Sequence, residues 1–139
     1  MENIYQLIYI LQTLKHYCKN AHWNAHGALF EGLHELYEEF QEMVDGEIDD
    51  LVELSIGRGA NPDFIETKHL LTEVINLLPE GNLNNIKTVE AILGLEEKVE
   101  VKILEIKQSE VGVGLYNKVA GISEAHGKAL YKIRQILKH

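Results

Sequence analysis

Four long stretches of this chain repeat apolar residues every three or four positions, which commits nearly all of it to amphipathic helices. The first stripe is Ile4, Leu7, Ile8, Leu11, Leu14, Cys18 and Ala21, predicting a helix over about residues 2–25 that Gly27 breaks. The second is Phe30, Leu33, Tyr37, Phe40, Val44, Ile48 and Leu51, predicting a helix over about residues 31–56 stopped by Gly57-Arg58-Gly59. Val89, Ile92, Leu95, Val99, Ile103 and Ile106 form the third stripe. Leu115, Val119, Ile122, His126, Leu130, Ile133 and Leu137 form the fourth. No window sustains alternation of apolar and polar residues, so no strand is expected.

The connections carry the topology. A short link joins the first two helices. The glycine-rich run Ser109-Glu110-Val111-Gly112-Val113-Gly114, poor as a helix interior, joins the last two. Each pair is therefore expected to be an antiparallel hairpin. The link between the second and third helices, residues 57–84, holds a short helix of its own. Asn61-Pro62 opens that helix, and it ends before the turn signal Pro79-Glu80-Gly81-Asn82. Two short links around one long crossover make the pattern of a ferritin-like four-helix bundle. The expected fold is all-α, with residues 1–139 as a single domain long enough to bury one substantial core.

Charge and composition narrow the partners. With 22 acidic against 13 basic residues the net charge is −9, which disfavours a surface built to neutralise phosphates, so DNA binding is not expected. No apolar run approaches a membrane span. The start Met1-Glu2-Asn3 carries no basic region followed by an apolar stretch, and a cytoplasmic protein is expected. Cys18 is the only cysteine, which leaves no intrachain disulfide and no multi-cysteine zinc site.

The chemistry concentrates in the first hairpin. His22 and His34 are each six residues from position 28, so they should face each other across it, with Glu38 one turn from His34 on the same face. Asp49 and Glu53 form a second pair at one-turn spacing, and all four positions of the second helix fall within roughly a 100° arc. Two imidazoles with several carboxylates suit iron in a non-haem site. His34 and Asp49, however, are separated by about 22 Å on a straight helix. A two-fold axis near Met43 and Val44 would bring His34 and Glu38 of one chain beside Asp49 and Glu53 of its partner, giving two equivalent intersubunit sites.

His22-Trp23-Asn24-Ala25-His26-Gly27, Phe30, Leu33-His34-Glu35-Leu36-Tyr37 and Asp49-Asp50-Leu51-Val52-Glu53 together resemble the Dps family of ferritin-like proteins. The resemblance implies a ferroxidase centre at a dimer interface. Its ligands would be His22, His34 and Glu38 from one subunit with Asp49 and Glu53 from the other, holding one or two irons. It further implies a homodimer assembled into a twelve-subunit shell that oxidises Fe(II) with hydrogen peroxide or oxygen, stores the ferric product and limits oxidative damage.

Some features depart from the family. Glu38 stands where Asp is usual, Leu54 where an Arg commonly follows the last Glu, and no Lys-rich N-terminal tail is present. The alternative reading is a ferritin-like binding or structural protein that keeps the dimer face without mineralising iron.

The remaining candidates have plainer roles. His126 sits on an apolar stripe and is expected to be a satisfied core histidine, and Cys18 a small buried apolar residue. Trp23 is expected to pack at an interface and His26 to lie beside the loop. His16, His69 and His139 have no evident partner and are expected at the surface. Glu96-Glu97-Lys98 reads as a solvated helix face.

Overall fold

In the computed structural model, which describes residues 1–80 and 84–138, the chain forms five α-helices, with no strand among the described residues. They are α1 (Glu2–Asn24), α2 (Phe30–Gly57), α3 (Thr67–Leu77), α4 (Asn85–Lys107) and α5 (Val113–Leu137). Short 3-10 turns lie at Gly27–Leu29 and Pro62–Ile65. Gly81 and Asn82 of the expected turn, and His139, lie outside the described residues.

Helices α1, α2, α4 and α5 make the bundle, with α1 and α5 each packed against both α2 and α4. Side-chain contacts give the directions. Asn85 Nδ2 donates to the His26 carbonyl at 2.9 Å, and Lys102 donates to Gln6, so α4 starts where α1 ends and runs back along it. Lys118 pairs with Asp50, and Lys132 with Glu39, so α5 runs antiparallel to α2. α2 and α4 are consequently parallel, and the crossover returns the chain along the bundle. α3 rides in that crossover against α1. There the Tyr9 hydroxyl donates to the Phe64 carbonyl at 2.9 Å, and Tyr5 stacks on Phe64 at 4.1 Å.

Local chemistry sets the element ends. Gly27 supplies a φ of +73° where α1 hands over to the turn before α2. Asn61 accepts from the Asp63 amide ahead of Pro62, while Glu66 accepts from the Lys68 and His69 amides to cap α3. Those two amides hold the Glu66 carboxyl below its usual range. Asn84 caps α4 by accepting from the Lys87 amide at 2.9 Å. α2 runs through Gly57, one residue beyond the expected stop, because Gly59 with φ +96° makes the reversal instead.

The stripes read from the sequence merge into one continuous core. Phe30, Leu130 and Leu137 differ: Phe30 is 41% exposed, Leu130 is buried outside that continuous cluster, and Leu137 is half-buried. Among the described residues, no helix is long and apolar enough to cross a membrane.

The core also contains charge. His126 of α5 is fully buried, with Nδ1 2.5 Å from Glu96 Oε2 of α4 and Nε2 2.7 Å from Glu47 Oε1 of α2. Burial alone would lower the imidazole pKa, but the bonds to Glu47 and Glu96 and their charges outweigh it and push it up to about 9. His126 is thus the satisfied core histidine its stripe predicted. Glu96 is a correction: it is 1% exposed rather than solvated, because the buried imidazolium compensates its charge, whereas Glu97 and Lys98 are exposed. His69 is exposed, as expected, but it has partners the sequence did not show, its Nε2 lying 3.1 Å from the Tyr9 hydroxyl and 3.8 Å from Glu73. His16 is exposed, as expected, with Nε2 3.2 Å from Gln12 Nε2.

Candidate metal centre

The tight link between α1 and α2 brings His22 and His34 face to face, their rings stacked with centroids 3.5 Å apart and planes 21° from parallel. Each ring is anchored by the backbone opposite. His22 Nδ1–H donates to the His34 carbonyl at 2.8 Å, and His34 Nδ1–H donates to the His22 carbonyl at 2.9 Å. A carbonyl can only accept, so each Nδ1 carries a proton, and in the neutral ring Nε2 is then the nitrogen with the lone pair. Histidine ligands are commonly oriented in this way, with one nitrogen bonded to a backbone carbonyl and the other left for a metal. Phe30 extends the stack, 4.9 Å from the His34 ring.

The pair sits in a half-open setting. Both imidazoles are half-buried, and the hairpin that carries them also carries exposed apolar side chains: Trp23 at 67%, Leu29 at 51% and Phe30 at 41%. Lys19 Nζ lies 5.2 Å from the centroid of the Trp23 ring, a cation–π contact. His26 turns away, its Nδ1 donating to the Asn24 carbonyl at 2.8 Å. Cys18 and Tyr37 lie one turn beneath the two rings, each fully buried, and burial pushes the Cys18 thiol and the Tyr37 phenol up. Among the described residues, the Tyr37 hydroxyl has no hydrogen-bond partner.

The carboxylates are placed differently. Glu38 is exposed one turn beyond His34 and makes no hydrogen bond or ion pair with either ring. Asp49 and Glu53 are exposed on the same helix, about 22 Å and about 28 Å from His34 by helical rise. Among the described residues, no three His, Cys, Asp or Glu side chains of one chain are grouped to hold a metal ion. A single chain thus presents an imidazole pair at one end of α2 and a carboxylate pair towards the other.

Two ion pairs border the exposed face of α2. Lys15 of α1 meets Asp45 at 2.6 Å on one side, and Lys118 of α5 meets Asp50 at 2.6 Å on the other. Beside the second lies a surface cleft of about 540 Å³ lined by Asp50, Glu53, Leu54, Gly114, Asn117 and Lys118.

The backbone resembles that of Dps92 from Deinococcus radiodurans, a solved structure, with a TM-score of 0.82. The superposition covers 99% of this chain and 84% of that one, at 23% identity. Its fold is Dps-like. DNA protection during starvation protein 2 of Deinococcus radiodurans is 30% identical to it over 80 residues, 58% of this chain. That match spans 33% of the relative's length. No protein-family model matches the chain.

The Glu47–His126–Glu96 triad escaped sequence reasoning, although a signal existed. Glu47 lies three residues after Val44 and four before Leu51, and Glu96 lies four after Ile92 and three before Val99, so both acids stand in register with the apolar stripes.

Proposed function

We propose that this Dps-like chain is a cytoplasmic ferroxidase and iron-storage protein, acting as a homodimer within a twelve-subunit shell. The observation that carries the reading is the reciprocally anchored His22–His34 pair, with both Nε2 lone pairs free on a half-open face. In the proposed dimer His22, His34 and Glu38 of one subunit meet Asp49 and Glu53 of the other across a two-fold axis on α2. The exposed Trp23, Leu29 and Phe30 support this, since an apolar collar around a half-site suits coverage by a second copy.

Iron enters as the substrate. The imidazoles suit ferrous iron, and the carboxylates suit the harder ferric product. Two ferrous ions supply two electrons; hydrogen peroxide takes them with two protons and leaves as two waters. Oxygen is the alternative oxidant. The anchored rings supply fixed ligand directions, and covering the collar excludes bulk water from the reacting ions.

Complementation tests the intersubunit arrangement. His34→Ala and Asp49→Ala each damage one half of every site, so each variant alone should oxidise Fe(II) slowly. Unfolding and co-refolding them together yields about half mixed dimers, each with one intact site, and activity should recover to roughly a quarter of the native value. No recovery, with mixed dimers verified by mass, would mean that the ligands act within one chain or that iron is oxidised elsewhere.

A further inference from the structure

Viewed down α2, Glu53 stands between Asp49 and Asp50, roughly 40° from the first and 60° from the second at 100° per residue. Three carboxylates thus occupy about one turn of helix, within roughly a 100° arc. Asp50 differs from the other two in its partner: Lys118 reaches over from α5 and contacts Asp50 Oδ2 at 2.6 Å. The same lysine lines the cleft that Glu53 lines. Among the described residues, neither Asp49 nor Glu53 has a comparable cation, since Lys15 is engaged with Asp45.

We propose that Lys118 is a specificity-determining residue of the metal centre, holding Asp50 out of the ligand set so that the partner half of the site binds through Asp49 and Glu53 alone, opposite His22, His34 and Glu38. The inference rests on the reading of Asp49 and Glu53 as ligands. A cation that prefers oxygen ligands, such as Mg²⁺, Ca²⁺ or Mn²⁺, gains from each added carboxylate, whereas imidazole favours the later transition metals. With Asp50 neutralised, carboxylates contribute less to the site and abundant hard cations compete less well with Fe²⁺. Lys118 also supplies a positive charge that any incoming cation must approach, which raises the demand on the imidazoles.

The test is competitive binding to the assembled protein, with Co²⁺ as an air-stable stand-in for Fe²⁺ and Mn²⁺ as the hard competitor, followed by calorimetry. Lys118→Met frees Asp50 and should shift the Co²⁺ to Mn²⁺ affinity ratio towards Mn²⁺ by roughly fivefold, a change of the size an exposed charge can exert. Asp50→Asn leaves Lys118 unpaired beside the site and should weaken both cations. The double variant Lys118→Met with Asp50→Asn should return the ratio to the native value. A mere structural tie behaves otherwise: both single variants break the same ion pair, so they would act alike and the double would restore nothing.

The failures are separable. If Glu53→Ala abolishes Co²⁺ binding while Lys118→Met leaves the ratio unchanged, this inference falls alone. If Glu53→Ala leaves Co²⁺ binding intact, the ligand reading falls and takes this inference with it.

Discussion

His126 concentrates the energetics of the bundle in one imidazole. Its pKa is raised from 6.5 to about 9 by bonds to Glu47 and Glu96 that outweigh the burial opposing them. The folded state therefore binds this proton more tightly than the unfolded chain does. That stability is fully present below pH 6.5 and is lost as pH rises through about 9. A shift of this size corresponds to on the order of 3 kcal/mol. Urea midpoints should accordingly fall between about pH 7 and pH 10, and His126→Gln should be less stable at neutrality yet flatter across that window. A native protein whose midpoint holds constant through the window would remove the imidazolium from the core. Residue chemistry of this kind is only partly visible in a sequence. The histidines of the first hairpin could be paired by counting outward from the turn, and the fold brings them together. Their mutual Nδ1–carbonyl bonds could not be foreseen, because these depend on ring rotation as well as on spacing.

At the scale of elements, periodicity and link length decide nearly everything. The four stripes have apolar residues spaced for burial, so the long helices follow from pattern alone, and the crossover follows from having too many residues for a hairpin. Element ends were less legible where several glycines compete. Gly57, Gly59, Gly112 and Gly114 all offered a break, yet Gly57 and Gly114 are helical and only Gly59 and Gly112 adopt positive φ. The α4–α5 turn therefore depends on Gly112, with φ +88° and the Arg58 guanidinium packed where a Cβ would stand. Gly112→Ala should destabilise by about 1–2 kcal/mol through the left-handed backbone, more if Arg58 cannot move aside. Gly127 lies within α5, and among the described residues nothing comes within 4 Å of the place its Cβ would take, so Gly127→Ala should instead stabilise by up to about 1 kcal/mol. Denaturant titration of both variants checks the contrast, and equal effects would show that backbone conformation is not what the turn demands.

For the whole molecule, charge is the property a partner meets first. The excess of 22 acidic over 13 basic residues sets a net −9, and a dense phosphate lattice is repelled on average. The basic residues towards the end of α5, Lys128, Lys132, Arg134 and Lys138, are the best local exception, but Lys132 is engaged with Glu39 at 3.3 Å. Duplex DNA should therefore migrate unretarded beside the protein at physiological salt. A tight, salt-sensitive shift would show that this short basic segment prevails over the average. The fold class was legible from the sequence at this scale because it depends on summed patterns. The ion pairs that border the α2 face were not, because Lys118 and Asp50 meet only once α5 has docked.

The two polar clusters differ in how far apart their members lie along the chain, and that difference orders them in time. His22 and His34 are twelve residues apart across one tight link, whereas Glu47 and His126 are separated by 79. Short loops close at lower entropic cost, and contacts between distant segments form late. A folding chain is therefore expected to pair its two imidazoles before it seals the buried charges that fix α5, so the first hairpin takes shape ahead of the completed bundle.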